Sequence, residues 1–203
     1  MTVAAPKWVL AEVNDMELWV GNDINTYVNQ FQALIEYISA FMEKYTDRKL
    51  KARAYDYTVA ADKVDAIGDG DGTATFFTKQ YPVNSITTLK IGDTTVTENT
   101  AWNADDGYIL YPQQGKIYYS NGFDAYKQNI FLKYNAGYAI TTNEYAELKL
   151  ICCSLVKYAW DNKGRMGLKQ EFLGRYRYTR DDFQNTDKWL FRALDSYKRS
   201  SFK

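Results

Sequence analysis

The chain of 203 residues contains no histidine. That absence removes the commonest general base, the usual serine-hydrolase triad and most zinc sites. There are only two cysteines, Cys152 and Cys153, side by side in an apolar helical run. Neighbouring helical residues point about 100° apart, so this pair is not expected to bridge. Both read as small core thiols in a reducing compartment. Neither sign of charge is in excess: 25 basic and 25 acidic side chains give a formal net charge of zero. Nothing global therefore attracts a polyanion or a membrane. No apolar run approaches the roughly 20 residues of a membrane span. The first residues lack a basic segment followed by an apolar core, so no signal peptide is expected. The expectation is a soluble protein made in a cytoplasm.

Aromatics are plentiful, with 18 Tyr, 10 Phe and 5 Trp. Tyrosine supplies contact area with a polar tip, which suits interfaces as well as cores. Apolar periodicity then divides the chain. Residues 12–21, EVNDMELWVG, read as one or two short helical turns closed by Gly21. Ile24, Val28, Phe31, Ile35, Ile38, Met42 and Tyr45 recur at spacings of four and three, which predicts a helix over about 24–46. From about Tyr55 the period falls to that of strands. TATFFT (73–78), VNSITTLKI (83–91), TTVT (94–97), YILY (108–111), KIYY (116–119) and NIFLKY (129–134) are short, β-branched and aromatic. Good turn formers separate them, which predicts an antiparallel meander, a small sandwich or a barrel.

The helical period returns after NAGYAITT (135–142). Thr141 and Glu144 suit a capping box. Tyr145, Leu148, Ile151, Cys152, Leu155, Val156, Ala159 and Trp160 give a wide apolar face, with Gly164 as the stop. Residues 167–182 read as a linker or irregular element. A last helix is expected over about 185–198, with Trp189, Leu190, Ala193, Leu194 and Tyr197 inward. The fold class is therefore α+β: a small helical bundle, residues 1–54 and 136–203, carrying an inserted antiparallel β domain, residues 55–135. Each helical piece alone is too small to bury its stripe, which is why the helices should pack together.

GDGDGTATFF (68–77) is the stretch that resembles a ligand site most. A calcium loop of the helix–loop–helix kind needs oxygen ligands at positions 1, 3 and 5, Gly at 6 and Glu at 12. Counting from Asp69 puts Ala74 at 6 and Gln80 at 12. Counting from Asp65 puts Ile67 at 3 and Phe76 at 12. Both registers fail. A phosphate loop lacks its Gly-Lys-Ser/Thr ending, and a dinucleotide fingerprint needs a helix where a strand follows. A solvated Asp-Gly turn feeding TATFFT is the expectation.

That turn, its strand and YPVNSITTLKIGD (81–93) resemble the head–tail adaptor proteins of tailed bacteriophages, also called head–tail connector or head-completion proteins. LIEYISAFMEKYTDRKL (34–50) looks like the family's first long helix. LKYNAGYAITTNEYAELKLICCSLVKYAWDNKG (132–164) looks like its strand, Ala-Gly-Tyr turn and second long helix. FLGRYRYTRDD, then a helix ending LDSYKR (172–199), is similar to its end. The shared order runs from about Glu12 onward, with residues 55–135 resembling the extra domain of a longer subgroup. The resemblance implies a structural virion protein of the neck with no catalysis and no cofactor or metal. It implies a ring, typically of twelve copies, that sits under the portal and extends the DNA channel. A stopper or tail-side neck protein would dock on it. The protein would be made in the host cytoplasm and end in the virion.

From Asp161 to Lys203 there are eleven basic and six acidic side chains. Polarised charge on a neutral chain favours layered or head-to-tail contacts between copies. Arg165, Lys169, Arg175, Arg177 and Arg180 are therefore candidate contacts to the portal or a neighbouring subunit, with Tyr176 and Tyr178 as anchors. A second reading puts some of these cations on the channel wall, in non-specific contact with DNA phosphates. Against both stands a solvated loop with two buried tyrosines. At the terminus, Tyr197, Lys198, Arg199 and Phe202 are expected to order on docking to the portal. The rival class is a carbohydrate- or host-surface-binding β-module with helical supports, to which AWNADDG (101–107) would contribute Trp102 beside Asp105 and Asp106. Two adjacent turn aspartates do not make the opposed carboxylate pair that a glycosidase needs.

Overall fold

The computed structural model describes residues 8–21, 23–99, 107–163, 170–173, 176–179 and 188–199. The chain divides into two units: Met1–Arg48 with Thr141–Lys203, and Lys49–Ile140.

In the first unit, the short N-terminal turns form as expected: a 3-10 turn, Val13–Met16, runs into α1, Glu17–Val20. Gly21 then closes it at φ 61, in the left-handed region that suits glycine. The single helix expected over 24–46 is instead two, α2 (Asp23–Thr26) and α3 (Val28–Thr46), broken at Tyr27. Tyr27 turns to bring its ring 5.1 Å from that of Trp160. The stripe itself holds, with Phe31, Ile35, Ile38 and Met42 buried. Asp47 at φ 52 ends α3.

The second long helix is α5, Asn143–Asp161. Its cap is Thr142 and not Thr141: the Thr142 Oγ1 accepts from the Tyr145 N–H at 3.2 Å. Helices α3 and α5 lie antiparallel. Phe31, near the start of α3, has its ring 4.3 Å from Trp160 at the end of α5. Ser39 Oγ, further along α3, is 3.7 Å from Cys152 Sγ in the middle of α5. Both cysteines are buried, and burial pushes the Cys152 thiol up to about 12 and the Cys153 thiol up to about 11. They are inert core groups, since the thiolate is the reactive form.

The second unit holds six of the strands expected from sequence: β3 (Thr75–Phe77), β4 (Val83–Ile91), β5 (Thr94–Val96), β6 (Tyr108–Tyr111), β7 (Lys116–Tyr119) and β8 (Ile130–Ala136). Two more precede them, β1 (Arg53–Asp56) and β2 (Ile67–Gly68), with one helical turn, α4 (Lys63–Ala66), between. The order is not a meander. One sheet runs β1-β8-β4-β5, with β2 also on β8, and the other runs β3-β7-β6. Every named pair is antiparallel. Strand β8 is central, and its alternate residues Ile130, Leu132, Tyr134 and Ala136 are buried. The two sheets share one core, in which Leu89 and Leu132 of the first join Ile117 and Tyr108 of the second.

The GDGDG stretch is a turn docked on residues 123–129. Gly70 N–H donates to the Tyr126 carbonyl and to Asn129 Oδ1, and Gly72 N–H to the Phe123 carbonyl. Asp69 Oδ1 accepts from Gln128 N–H. Asp71 Oδ1 accepts from both the N–H and the hydroxyl of Thr73. The aspartates thus act as acceptors for the chain's own donors. Among the described residues, no cluster of His, Cys, Asp or Glu is placed to hold a metal ion.

Asp56 leads to one pH-dependent expectation. The Thr58 N–H, then Lys133 and the Thr58 hydroxyl, hold its carboxyl at about 2, against an ordinary 3.8. A group depressed on folding adds stability that is present above its unfolded value and lost as pH falls through its folded value. Asp56→Asn should therefore flatten the fall in urea midpoint between about pH 4 and pH 2 relative to the parent. Parallel acid limbs in the two proteins would refute this.

Candidate assembly surface

The C-terminal helix is α6, Lys188–Asp195. Leu190, Phe191 and Leu194 are buried, and Phe191 packs edge-on against Phe41 and Tyr45 of α3. Trp189, expected inward, is 58% exposed. Around the helix axis it lies about 150° from the middle of the face formed by Leu190, Phe191 and Leu194, so its ring points outward.

Past α6, Tyr197, Lys198 and Arg199 are each held by contacts within the unit. Tyr197 is buried, and its hydroxyl donates to Glu147 Oε2 of α5 at 2.6 Å. Arg48, itself only 4% exposed, donates from Nη1 to the Tyr197 carbonyl at 3.1 Å. Arg199 N–H donates to the Thr46 carbonyl at 3.0 Å. Lys198 pairs with Asp195 at 2.6 Å, and its Nζ stands 4.2 Å from the Tyr45 ring centroid. The Tyr45 hydroxyl donates to Asp195 Oδ1 at 2.8 Å. Hydrogen bonds from Lys198, then Tyr45, hold the Asp195 carboxyl below the usual carboxylate range, and hydrogen bonds to Asp195, then Tyr45, raise Lys198. Tyr45, Thr46, Asp47, Lys198 and Arg199 line an open cleft where the chain leaves this anchor. Lys198 and Arg199 are exposed there.

Residues 167–182, expected as a linker, contain a two-stranded antiparallel hairpin, β9 (Gln170–Leu173) and β10 (Tyr176–Thr179). Its register pairs Tyr176 with Leu173, Arg177 with Phe172 and Tyr178 with Glu171. The candidate contacts Tyr176, Arg177 and Tyr178 thus fall on one strand. Arg165, Lys169, Arg175, Arg180 and Phe202 lie outside the described residues, as do Trp102, Asp105 and Asp106. Sequence reading placed Tyr45 only as part of an apolar stripe and missed Arg48, Glu147 and Asp195; together these four fix the C-terminal segment. The only signal for them was charge at the ends of apolar stripes, a pattern usually left to solvent.

The arrangement has a helix pair, an anchored basic terminus and a β unit. The sequence model of one family, described as head completion protein, matches residues 10–169. The chain belongs to the head completion protein family. As a member, it has a structural role at the head–tail junction of a phage-like virion. One solved structure, described as the neck of an empty GTA particle computed with C6 symmetry, shares the fold at a TM-score of 0.55. The alignment covers 100% of this chain and 95% of that one, at 12% identity. Among curated proteins, none matches by sequence. The family match stops at residue 169, so β9, β10 and α6 of this head completion protein lie past it. The fold likeness continues across them.

Proposed function

We propose that this head completion protein assembles as a ring under the portal, extends the DNA channel and offers a docking face to a stopper or tail-side neck protein. The observation that carries the reading is the family match over residues 10–169. The end-to-end fold likeness to a neck supports it. Six-fold symmetry, as stated for that particle, agrees with six or twelve copies; twelve is the expectation here. The protein works by shape and does no bond chemistry, so it needs no cofactor. Its basic C-terminal segment faces protein, a portal or a neighbouring copy. Tight phosphate binding along a channel wall would oppose sliding DNA, which makes the wall the weaker placement for those cations.

Within that segment, Tyr197 acts by holding α6, while Lys198 and Arg199 present charge to the portal at the mouth of the cleft. Phe202, outside the described residues, is placed by the same reading at that docking face. Electron microscopy of the purified chain, concentrated alone and mixed with its cognate portal, should show rings. Deleting 200–203 should leave the monomer folded and weaken portal attachment about tenfold. That corresponds to about 1.4 kcal/mol. Deleting 198–203 should weaken attachment further and also loosen α6, because Lys198–Asp195 and Arg199–Thr46 are lost. Portal attachment unchanged by the shorter deletion removes the terminus from the docking face. Absence of rings in both preparations removes the ring itself.

A further inference from the structure

A ring of identical copies needs two different faces on each copy, one for each neighbour. The helical unit has two such faces, and they lie on opposite sides of the α3–α5 pair. The N-terminal segment touches α3 at Ser39, whose Oγ accepts from Leu10 N–H at 3.1 Å. It touches α5 at Lys149, which pairs with Asp15 at 2.9 Å. The C-terminal segment touches α3 at Phe41, through Phe191, and α5 at Glu147, through the Tyr197 hydroxyl. Positions two apart on a helix are separated by about 200° around its axis. Ser39 against Phe41 and Lys149 against Glu147 are both such pairs. On each long helix, then, the N-terminal segment sits on one flank and α6 on the other.

The outward surfaces of these two flanks are complementary. On the first, Leu18 is 97% exposed on α1, with Glu12 and Glu17 exposed beside it in sequence. Residues 8–21 contain three acidic side chains and no basic one, and residues 1–48 carry seven acidic and three basic. On the second flank, Trp189 and Arg192 are exposed one turn apart on α6, within the segment that has eleven basic and six acidic side chains. Trp and Arg are the residue types that carry most binding energy at interfaces. An exposed apolar side chain on an acidic segment thus lies on one flank, and an exposed Trp one turn from Arg192 lies on the other.

We infer that α1 of one copy, through Leu18 with Glu12 and Glu17, packs on α6 of the next copy, through Trp189 with Arg192. This is the head-to-tail contact that closes the ring. The inference rests on the ring reading above and names the surfaces that make it. Such a contact is heterologous: it uses both flanks of every copy and leaves no unpaired flank once the circle closes. Unlike charges around an apolar centre also set its register and speed encounter.

Cross-linking tests it. The native cysteines are buried, so a cysteine placed on the surface reacts alone. Leu18→Cys and Trp189→Cys proteins, mixed under ring-forming conditions and oxidised, should give a disulfide-linked pair that neither gives alone. The double variant should give a ladder of bands up to the closed ring. In parallel, Glu17→Arg or Arg192→Glu should each raise the concentration needed for assembly about tenfold, and the two combined should restore it in part. Both positions are exposed, so circular dichroism should show each variant folded. Rings without the mixed cross-link, and without rescue by the double reversal, overturn this contact and leave the ring reading standing. No rings from the parent chain, alone or with the portal, overturn both.

Discussion

Replacing Gly70 with alanine is expected to unseat the turn at residues 68–73 and to destabilise the β unit by about 3 kcal/mol or more. The reason is steric and local. A Cβ on Gly70 would stand 1.9 Å from the Asp124 carbonyl oxygen and 3.0 Å from that of Phe123. Both obstacles are backbone, so neither can swing aside as the tip of a side chain would. The carbonyls are also fixed from their own side: Asn129 Nδ2 donates to the Asp124 carbonyl, and Gly72 N–H donates to that of Phe123. Relief would require the two segments to part, breaking the Gly70 bonds to Tyr126 and Asn129. Phe123, fully buried against Phe76 and Tyr119, would move with them. Thermal unfolding, together with limited proteolysis within 68–73 and 123–129, checks this. An unchanged melting temperature with no new cleavage would show that the close approach is not rigid. By contrast, Gly92→Ala meets no atom within 4 Å, although its φ of +57 carries the ordinary left-handed strain. It should cost only about 1–2 kcal/mol.

Phe31→Ala should cost the helical unit about 3–5 kcal/mol. Phe31 is fully buried, and its ring meets Trp160 at 4.3 Å between centroids. Tyr27 packs on the same indole, and Lys163 Nζ lies 3.2 Å from its centroid. The cluster clamps the start of α3 to the end of α5. Removing the phenyl ring leaves a cavity and lowers the packing on Trp160, so its fluorescence should shift to the red. A Phe31→Leu variant refills most of the volume and should recover more than half of the loss. Equal unfolding midpoints for Phe31→Ala and the parent would show that the clamp does not hold the pair.

The strands read from sequence appear almost where alternation and turn formers placed them. VNSITTLKI, YILY and KIYY are β4, β6 and β7 to the residue. Their neighbours in space were not legible. That β8 sits between β1 and β4 depends on pairings across tens of residues, which no local pattern encodes. Strand β1, RAYD, begins and ends with a charge and buries only Tyr55 of its four residues, so it shows no alternation worth reading. The break at Tyr27 arises because a tertiary aromatic contact outweighs an uninterrupted stripe. Trp189 misled for a related reason. Hydrophobicity places tryptophan inward, yet the docking face of a two-turn helix is narrow, and Leu190, Phe191 and Leu194 already fill it. At the candidate assembly surface, the basic excess after residue 161 is legible in the sequence, but the glutamate and the buried arginine that fix Tyr197 are not. Arg48 in particular reads as a solvent-facing helix end until its carbonyl partner is known.

Strand β1 enters the β unit and β8 leaves it, and the two are antiparallel partners from Arg53 opposite Ala136 to Asp56 opposite Lys133. Just before that, Ala52 N–H donates to the Tyr138 carbonyl and Tyr138 N–H to that of Leu50. The two ends of the unit are therefore zipped side by side, like the stem of a flower. Segments whose two ends lie side by side are the kind a chain tolerates gaining or losing. A lineage of particles could vary whatever this segment touches while keeping the rest of the joining protein unchanged.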